Sequence, residues 1–419
     1  MENVEEKREN VLLVVIEFKA QKKEWPMKEI LNEMTELVVA CGGEVVDSIL
    51  CRDQRPTASH LIGEGKIKEI AQSVGLNDVD TVIFSQDLKG SQQRNIENVL
   101  KVKTIDRTQL ILDIFAKRAR TSEAKAQVEL AQLEYLLPRL VGKGVELSRL
   151  GGGIGTLGPG ETKLEMDRRR ISQRIDKLKK NLKDITANHS LRRKKRQKRH
   201  IPTLSLVGYT NAGKSTLLNA LTEAGQETKD GLFTTLTSLT RQFVLPNQQK
   251  IVLSDTVGFM RALPHHLIES FKTTLDEVRE SDVLIHVVDV SHSQFRFLFD
   301  SVIKVLAELN VLEKPIINVF NKIDRIDDKV WLNDLRNNYQ HAVCVSAQSG
   351  DNLNDLLETI ICLIDSYRKE IIVDVPIDRM DLINLAHEEG EVLSVKYYSD
   401  KINLRANIPQ HLVGRFYRC

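Results

Sequence analysis

The chain has 419 residues, which gives room for about three domains, each able to bury a core of its own. A net charge of +2 excludes a protein whose whole surface is a polycation, so any attraction to nucleic acid must come from local patches. The five cysteines include no close pair, which argues against a disulfide framework or a zinc site. No apolar run approaches the roughly 20 residues that cross a bilayer. We therefore expect a cytoplasmic protein with no transmembrane segment, and a peripheral position at the membrane stays open.

The first 106 residues alternate between strand-like and helix-like segments. Such alternation predicts a parallel sheet whose faces are covered by helices. We therefore expect an N-terminal α/β domain at residues 1–106. Its predicted strands are residues 11–18, 44–51 and 81–85, and its predicted helices are residues 27–41, 63–74 and 92–102.

Residues 107–190 carry two long apolar stripes. In each stripe apolar side chains recur at alternating steps of three and four, which is the seam of a coiled-coil pair. The simplest product is a long antiparallel helical hairpin that holds residues 142–160 at its tip. The first stripe is Ala126, Leu130, Leu133, Leu137 and Leu140, and the second is Leu164, Ile171, Ile175, Leu178, Leu182 and Ile185.

The predicted tip has six glycines and a proline within residues 151–160. Gly153 to Gly158 match the spacing Gly-x-Gly-x-x-Gly, but a dinucleotide fingerprint needs a preceding strand, and here a helix precedes. So few side chains cannot stabilise a loop by themselves. The tip is therefore either a passive linker or a backbone surface that fits closely against another molecule, and the residues alone do not decide.

A basic segment follows the second stripe. Seven of the eight residues from Arg192 to Arg199 are Lys or Arg. Such a run is either a solvated linker or a segment that contacts the phosphates of RNA. We place a basic linker at residues 191–200, and both interpretations stay open.

The middle of the chain carries the spacing Gly-x-x-x-x-Gly-Lys-Ser from Gly208 to Ser215. An apolar run at residues 201–207 predicts a strand before it, and residues 216–224 predict a helix after it, the context of a phosphate-binding P-loop. The glycines allow a tight loop whose backbone N–H groups converge on phosphate oxygens. Lys214 can then reach the β- and γ-phosphates, and Ser215 can ligate Mg²⁺.

Residues downstream complete the phosphate side of this site. A strand at residues 250–253 leads to Asp255, which can hold a Mg²⁺-bound water, and to Gly258, whose N–H can reach the γ-phosphate. Upstream, a switch segment should supply a threonine to Mg²⁺, and we choose Thr235, with Thr234 as the alternative. The predicted catalytic residues are Lys214, Thr235 and Gly258, and the predicted magnesium ligands are Ser215 and Thr235.

The tetrad from Asn321 to Asp324 predicts a guanine reader in a domain at residues 201–366. The Asp324 carboxylate can accept from both the ring N–H and the exocyclic amine of guanine, while Asn321 secures the loop. Adenine presents the wrong pattern, which argues against an ATP-using P-loop kinase. The residues predicted to contact GTP or GDP are Gly208, Tyr209, Thr210, Asn211, Ala212, Gly213, Lys214, Ser215, Phe233, Thr234, Thr235, Leu236, Thr237, Asp255, Thr256, Val257, Gly258, Asn321, Lys322, Ile323, Asp324, Ser346, Ala347 and Gln348.

The residue after Gly258 predicts slow intrinsic hydrolysis. Ras-like GTPases place a glutamine there to orient the attacking water, whereas this chain has Phe259, which cannot. We expect a rate near the ~10⁻⁴ s⁻¹ of unassisted Ras until a partner or a cation stimulates it. Asn211 is positioned in the motif to ligate K⁺ beside the phosphates, in place of an arginine finger.

Further motifs are shared with one family of GTPases. They are the sequence DRTQLILDIF at residues 106–115, the helix at 123–140, and the segments at 155–161, 167–170, 208–215, 255–259 and 263–265. On these motifs the chain resembles, over nearly its full length, the HflX family within the Obg–HflX group of P-loop GTPases.

The resemblance implies a GTPase that binds the large ribosomal subunit and dissociates stalled or stressed ribosomes. In that picture residues 151–161 approach ribosomal RNA near the peptidyl transferase centre, and Arg168 to Arg170 and the basic segment contact phosphates. The alternatives are an assembly or checkpoint factor that binds the large subunit without splitting ribosomes, and a binding module in which turnover only times release. The expected partners are GTP or GDP and the large subunit with its rRNA, and we expect a monomer.

The chain departs from the family pattern in two places. Leu157 stands where family members usually carry arginine, which removes one cation from the tip. The switch reads TTLTSLTR at residues 234–241, where the family pattern is ATLDPTTR, so this chain lacks the aspartate and the proline of that pattern. Residues 367–419 resemble the small C-terminal α/β domain of the family, for which no chemistry is inferred.

Overall fold

The computed structural model describes residues 8–19, 25–140, 159–198, 201–222, 239–256, 258–260, 272–366, 368–409 and 412–417. They form two compact units, one built mainly from the chain up to Ile185 and the other mainly from Thr186 onwards. Within these ranges no helix is long and apolar enough to cross a membrane.

The N-terminal sheet is parallel, as predicted. Its elements are β1 Asn10–Phe18, α1 Met27–Cys41, β2 Glu44–Asp53, α2 Glu64–Leu76, β3 Thr81–Phe84, α3 Gly90–Leu100, β4 Lys103–Asp106 and α4 Arg107–Arg118. The strand order is β2-β1-β3-β4. From Val11 to Ile16 every residue of β1 is buried, because helices cover a parallel strand on both faces and remove the polar alternation. Side chains of α2 and α3, among them Ile70 and Ile96, complete a core with the sheet.

A helix lies directly beyond residue 106, the expected end of the N-terminal domain. α4 begins directly after β4, and its N-cap Asp106 accepts a hydrogen bond from the N–H of Gln109 at 2.9 Å. Arg107 forms a buried ion pair with Glu33 of α1 at 3.0 Å. This ion pair joins the helix to α1.

The two predicted stripes do pack together. They lie on α5, Ser122–Leu136, which a 3₁₀ turn at Leu137–Arg139 prolongs, and on α6, Pro159–Lys198. Two ion pairs flank the contact, Glu129 with Arg174 at 2.6 Å and Glu134 with Lys179 at 2.8 Å. The shared core holds Ala126, Leu130, Ile175, Leu178 and Leu182, with Leu133, Leu137, Ile171 and Ile185 packed against it.

The basic segment begins as helix rather than as an irregular linker. α6 runs through it to Lys198, past the predicted end of the hairpin at residue 190, which fits the good helix propensity of Lys, Arg and Gln. Residues 141–158 lie outside the described ranges. The glycine-rich tip and the antiparallel sense of the hairpin therefore stay predictions.

The P-loop domain predicted at residues 201–366 is a six-stranded sheet with helices. Its elements are β5 Thr203–Gly208, α7 Lys214–Thr222, β6 Leu239–Val244, β7 Lys250–Asp255, α8 Lys272–Glu280, β8 Val283–Asp289, α9 Phe295–Glu308, β9 Ile316–Asn321, α10 Lys329–Asn338, β10 Ala342–Cys344 and α11 Leu353–Ser366. The strand order is β10-β9-β8-β5-β7-β6, and β6 alone runs antiparallel to its neighbour. β6 falls within and just after the switch motif, where no strand was predicted. Because the parallel strands end at one edge, their carboxyl ends bring the predicted site residues together.

The C-terminal domain is a three-stranded antiparallel sheet with two helices. It consists of β11 Arg368–Pro376, α12 Met380–Glu389, β12 Glu391–Tyr397, β13 Lys401–Pro409 and α13 Val413–Phe416. The central strand is β13, and its Ile402, Leu404 and Ala406 supply the middle of the core. The mixed α/β class expected for the chain is confirmed.

Candidate nucleotide site

The P-loop motif has the predicted setting, with β5 before it and α7 after it. Gly208 lies so close to β8 that a Cβ there would stand 2.3 Å from the carbonyl oxygen of Val287. Gly213 has φ of +91°, and a Cβ there would stand 2.2 Å from Nδ2 of Asn321. Gly208 has φ of +156°, so both positions require glycine for close packing and for positive φ.

Lys214 is buried at the base of this loop. Its Nζ donates to the carbonyl oxygens of Gly208 at 3.1 Å and Tyr209 at 2.8 Å. Burial lowers the pKa of Lys214 to about 8, against the opposing attraction of Asp255. An anion beside this ammonium would raise the pKa again, so the lysine is suited to bind one.

Ser215 and Asp255 face each other where α7 starts and β7 ends. The hydroxyl of Ser215 donates to Oδ2 of Asp255 at 2.6 Å, and Asp255 is 1% exposed. Next to it, the Thr256 hydroxyl donates to the carbonyl oxygen of Leu206 at 2.7 Å, which ties β7 to β5. A hydroxyl and a carboxylate oxygen at this spacing are the hard oxygen donors that Mg²⁺ prefers.

Gly258 and Phe259 lie directly on the P-loop. The Phe259 N–H donates to the carbonyl oxygen of Gly208 at 3.0 Å, and the Thr210 N–H donates to that of Phe259 at 2.9 Å. A Cβ on Gly258 would come within 2.9 Å of Cα and Cγ2 of Thr210 and 3.0 Å of Nζ of Lys214. The side chain of Phe259 is buried, so the residue at the glutamine position of Ras-like proteins is part of the packed structure.

Asn321 joins three of the predicted motifs. Its Nδ2 donates to the carbonyl oxygen of Ala212 in the P-loop at 2.9 Å. Its Oδ1 accepts from the N–H of Ala347 at 2.9 Å. The residue is 2% exposed, which makes these two bonds a buried bridge between the phosphate loop and the base-reading loops.

Asp324 and Ser346 hold the base-reading loops together. The Ser346 hydroxyl donates to Oδ1 of Asp324 at 2.6 Å, and the N–H of Ser349 donates to the Ser346 hydroxyl at 3.2 Å. Asp324 remains exposed while Ser346 is fully buried. The carboxylate is thereby oriented and stays accessible to a ligand, and the neighbouring Gln348 is also exposed.

The sequence analysis did not predict two residues that support the tetrad, Asp289 and Ser349. Lys322 has φ of +66° and forms an ion pair with Asp289 at 2.6 Å. Asp289 ends β8, so an acidic residue after the apolar run at residues 283–288 was the available signal. Ser349, which bonds to Ser346, had no signal beyond its place in a polar loop.

Some predicted residues cannot be placed. Phe233, Thr234, Thr235, Leu236, Thr237 and Val257 lie outside the described residues. Asn211 is described: it is exposed and has φ of +61°, a left-handed conformation that asparagine tolerates. Tyr209 and Ile323 sit between the groups above, the first buried and the second half-buried.

Direct hydrogen bonds join the phosphate-binding loop to the base-reading tetrad at one edge of a mostly parallel sheet. This arrangement defines the class: the chain is a P-loop GTPase. Three segments of the chain match protein-family models, which identify the kind of GTPase more closely. They are "GTP-binding GTPase N-terminal" at residues 28–116, "GTP-binding GTPase Middle Region" at residues 118–196, and "50S ribosome-binding GTPase" at residues 203–322.

Curated relatives agree with these matches. A GTPase HflX from Caldanaerobacter subterraneus subsp. tengcongensis is 43% identical over 408 residues, which cover 97% of this chain and 93% of the relative. The GTPase HflX of Escherichia coli strain K12 is 41% identical over 353 residues, covering 84% and 82%. The chain belongs to the HflX family of GTPases, and the resemblance drawn from the sequence is confirmed.

Among solved structures, a GTP-binding protein from Sulfolobus solfataricus in complex with GDP is 28% identical to this chain. The alignment covers 85% of this chain and 98% of that one, with a TM-score of 0.45.

Proposed function

We propose that this GTPase is a translational factor that binds the large ribosomal subunit and dissociates stalled or stressed ribosomes. The observation that supports it most is the match of residues 203–322 to a family described as a 50S ribosome-binding GTPase, within a chain related to HflX along most of its length. The site described above supplies the nucleotide switch that such a factor needs.

In this proposal the P-loop domain binds GTP through two sets of contacts. The P-loop backbone and Lys214 hold the phosphates, and the Gly258 N–H contacts the γ-phosphate. Asp324 accepts from the guanine ring N–H and amine, and the backbone from Ser346 to Gln348 contacts the guanine oxygen. The bridge made by Asn321 supports this, because it fixes the distance between the base-reading and phosphate-binding loops.

The residues present fit a magnesium ion. Ser215 and Asp255 place a hydroxyl and a carboxylate 2.6 Å apart at the strand end. Ser215 would ligate Mg²⁺ directly, Asp255 would act through a bound water, and Thr235 of the switch would add a second protein ligand. When bound, the ion would neutralise charge on the β- and γ-phosphates.

Contact with rRNA would come from the middle region of the chain. Arg168, Arg169 and Arg170 are exposed on α6, and the helix carries the basic segment as far as Lys198. A 40-residue helix is about 60 Å long, so its cations can follow an RNA backbone over a considerable distance. The glycine-rich segment at residues 151–161 is proposed to fit between RNA elements, where its small side chains permit a close backbone approach.

Co-sedimentation with separated ribosomal subunits tests the binding part of the proposal. We expect the native protein to pellet with the large subunit in a non-hydrolysable GTP analogue, and much less in GDP. A variant with residues 151–160 deleted should bind at least ~10-fold more weakly, while a variant with Arg55 and Lys101 changed to Ala keeps its affinity, because those exposed cations lie in the N-terminal domain. Equal pelleting in both nucleotides, or binding to neither subunit, would contradict the proposal.

A further inference from the structure

Lys322, inside the base-reading tetrad, has a backbone conformation that is uncommon for lysine. Its φ of +66° and ψ of +36° lie in the left-handed region, at the point where the chain leaves β9. A residue with a long side chain adopts this region at a cost in free energy, so surrounding contacts must stabilise it there. The turn matters because the next residues form the 3₁₀ turn Ile323–Arg325, which carries the Asp324 carboxylate.

An ion pair with Asp289 fixes the side chain of this strained residue. Oδ2 of Asp289 lies 2.6 Å from Nζ of Lys322. Only 17% of the Asp289 side chain and 14% of the Lys322 side chain are exposed, so solvent ions screen the pair weakly. The charged end of Lys322 is therefore tied to the end of β8.

Asp289 is itself held in place. Its Oδ1 accepts from the N–H of Ser291 at 2.9 Å and from the Ser291 hydroxyl at 2.6 Å. Asp289 is also the partner of Asn321 in the β8–β9 register, and the N–H of Val290 donates to the Asn321 carbonyl oxygen at 3.1 Å. The end of β8 is thus a fixed support beside the tetrad.

The two ends of the tetrad have supports of their own. Asn321 bonds to the P-loop and to Ala347, and Asp324 accepts from the Ser346 hydroxyl. Lys322 lies between these two residues, in the turn that sets the direction of the chain from one to the other. The ion pair with Asp289 therefore supports the part of the tetrad on which the position of the Asp324 carboxylate depends.

We propose that Asp289 is a positioning residue for guanine recognition and acts through Lys322. The ion pair keeps the tetrad in the conformation that presents the Asp324 carboxylate to the base before the nucleotide arrives. Binding then does not have to supply the free energy of ordering this loop, which raises the affinity for guanine nucleotides. The inference deepens the proposed function, because it rests on Asp324 as the residue that recognises guanine.

Asp289→Asn removes the charge with little change in shape. The asparagine oxygen can still accept from Ser291, whereas the contact with Lys322 loses its charge assistance. We expect the Kd for GDP to rise roughly 10-fold, the size of one charge-assisted contact. Asp300→Asn, at an exposed position of α9 in the same domain, is the matched control and should keep the native Kd.

Inosine diphosphate shows whether the effect lies at the base. It lacks the exocyclic amine of guanine, so it makes one of the two hydrogen bonds that GDP makes with Asp324. A poorly positioned carboxylate should therefore cost GDP more than inosine diphosphate. We expect the affinity of Asp289→Asn for inosine diphosphate to stay within about threefold of native, whereas a general loss of structure would weaken both nucleotides equally.

Lys322→Met shows whether Asp289 acts through the lysine. Methionine keeps an apolar stem and removes the charge, so this variant should also weaken GDP binding roughly 10-fold. Adding Asp289→Asn to Lys322→Met should weaken binding by less than about twofold more, because the pair is already broken.

The measurement is competition of GDP and inosine diphosphate against a fluorescent GDP analogue, with the full-length native chain, the three single variants and the double variant. A GDP affinity of Asp289→Asn within twofold of native would overturn the role of Asp289 and leave the nucleotide site standing. Equal losses for the two nucleotides would also overturn it, because Asp289 would then be merely structural. Additive losses in the double variant would overturn the action through Lys322. Native protein that bound no GDP would overturn the proposed site, and this inference with it.

Discussion

The side-chain Nδ2 of Asn321 lies 2.9 Å from the carbonyl oxygen of Ala212, and this buried hydrogen bond joins the base-reading tetrad to the P-loop. The Oδ1 of the same side chain accepts a hydrogen bond from the Ala347 N–H, which connects the base-reading segment at residues 346–348 as well. Base recognition and phosphate binding therefore share one support. A change at Asn321 should affect both functions together.

Asn321→Ala should weaken GDP binding and lower stability at once. It removes two buried hydrogen bonds and leaves the Ala212 carbonyl and Ala347 N–H unsatisfied, which together cost about 2–4 kcal/mol. Fluorescent GDP titration and urea unfolding would measure the two effects. Asn247→Ala, in an exposed turn of the same domain, is the control for binding and should keep the native GDP affinity. Native-like GDP affinity in Asn321→Ala would show that the bridge is not needed.

Asp324→Asn should change the base preference from guanine to xanthine. The amide presents a donor where the carboxylate accepted from the exocyclic amine, so guanine meets an unpaired donor while the extra oxygen of xanthine can accept. We expect GDP to lose at least ~100-fold in affinity and xanthosine diphosphate to gain, measured by competition with a fluorescent nucleotide. Asp327→Asn, three residues on and exposed, should bind both like the native protein. An unchanged preference for GDP in Asp324→Asn would place base recognition elsewhere.

The buried Lys214 predicts a pH dependence of stability in the nucleotide-free protein. Its pKa is lowered to about 8 in the folded state, so between about pH 8 and 10.5 the unfolded chain binds more protons than the folded one. The contribution of this residue to the free energy of unfolding should therefore rise with pH across that window, by on the order of 3 kcal/mol.

Lys214→Met tests this, because methionine keeps the apolar stem and carries no charge. Urea unfolding at pH 7.5 and pH 10 gives the unfolding free energy of both proteins. The value for the native protein minus the value for the variant should be larger at pH 10. Lys250→Met, an exposed lysine on β7, is the comparison and should give a difference that does not depend on pH. A pH-independent difference for Lys214→Met would mean that its pKa is ordinary.

Arg139, in the 3₁₀ turn after α5, should stabilise the N-terminal domain through its contacts with Leu88 and Asp106. Its guanidinium donates to the carbonyl oxygens of Tyr135 at 2.9 Å and Leu88 at 2.7 Å, and pairs with the buried carboxylate of Asp106 at 3.2 Å. Removing one partner of a buried ion pair costs about 3–5 kcal/mol. Arg139→Met should lower the unfolding free energy of this domain by about that much in chemical denaturation. Arg169→Met, an exposed arginine on α6, should cost less than ~0.5 kcal/mol; equal effects would show that the Asp106 cluster carries no stability.

The identity of the monovalent cation should control the hydrolysis rate if Asn211 ligates K⁺. We expect GTP hydrolysis by the native protein to be about 10-fold faster in KCl than in NaCl, because a K⁺ of the right size would place positive charge beside the phosphates. Asn211→Ala should lose the difference, while Asn247→Ala keeps it. Equal native rates in the two salts would remove K⁺ from the mechanism.

Much of the site could be predicted because local sequence determines it. Gly208 and Gly213 are required by the backbone, and Asp255 and Asn321 end strands that are recognisable as apolar runs. The parallel order of those strands then brings the residues to one edge without further information. Residues whose roles depend on contacts distant in sequence were harder to predict, such as Asp289 with Lys322.

The features of the fold that were not predicted from the sequence also have physical explanations. β6 and β13 are recognisable mainly by their pairing with β7 and with β11 and β12, since their alternating polar residues also fit an irregular segment. The packing of α4 onto α1 through the Arg107–Glu33 pair was also not predictable, because the two residues are far apart in the sequence.

The proposed role as a whole is tested most directly by light scattering of 70S ribosomes after addition of the protein and nucleotide. We predict that the native protein with GTP, or with its non-hydrolysable analogue, lowers the scattering as subunits separate, and that GDP does not. Asp324→Asn should do the same with xanthosine triphosphate and fail with GTP, which would tie the splitting to this site. Unchanged scattering with the native protein and GTP, under conditions where the protein co-sediments with the large subunit, would contradict the account and favour an assembly or checkpoint factor that binds without splitting.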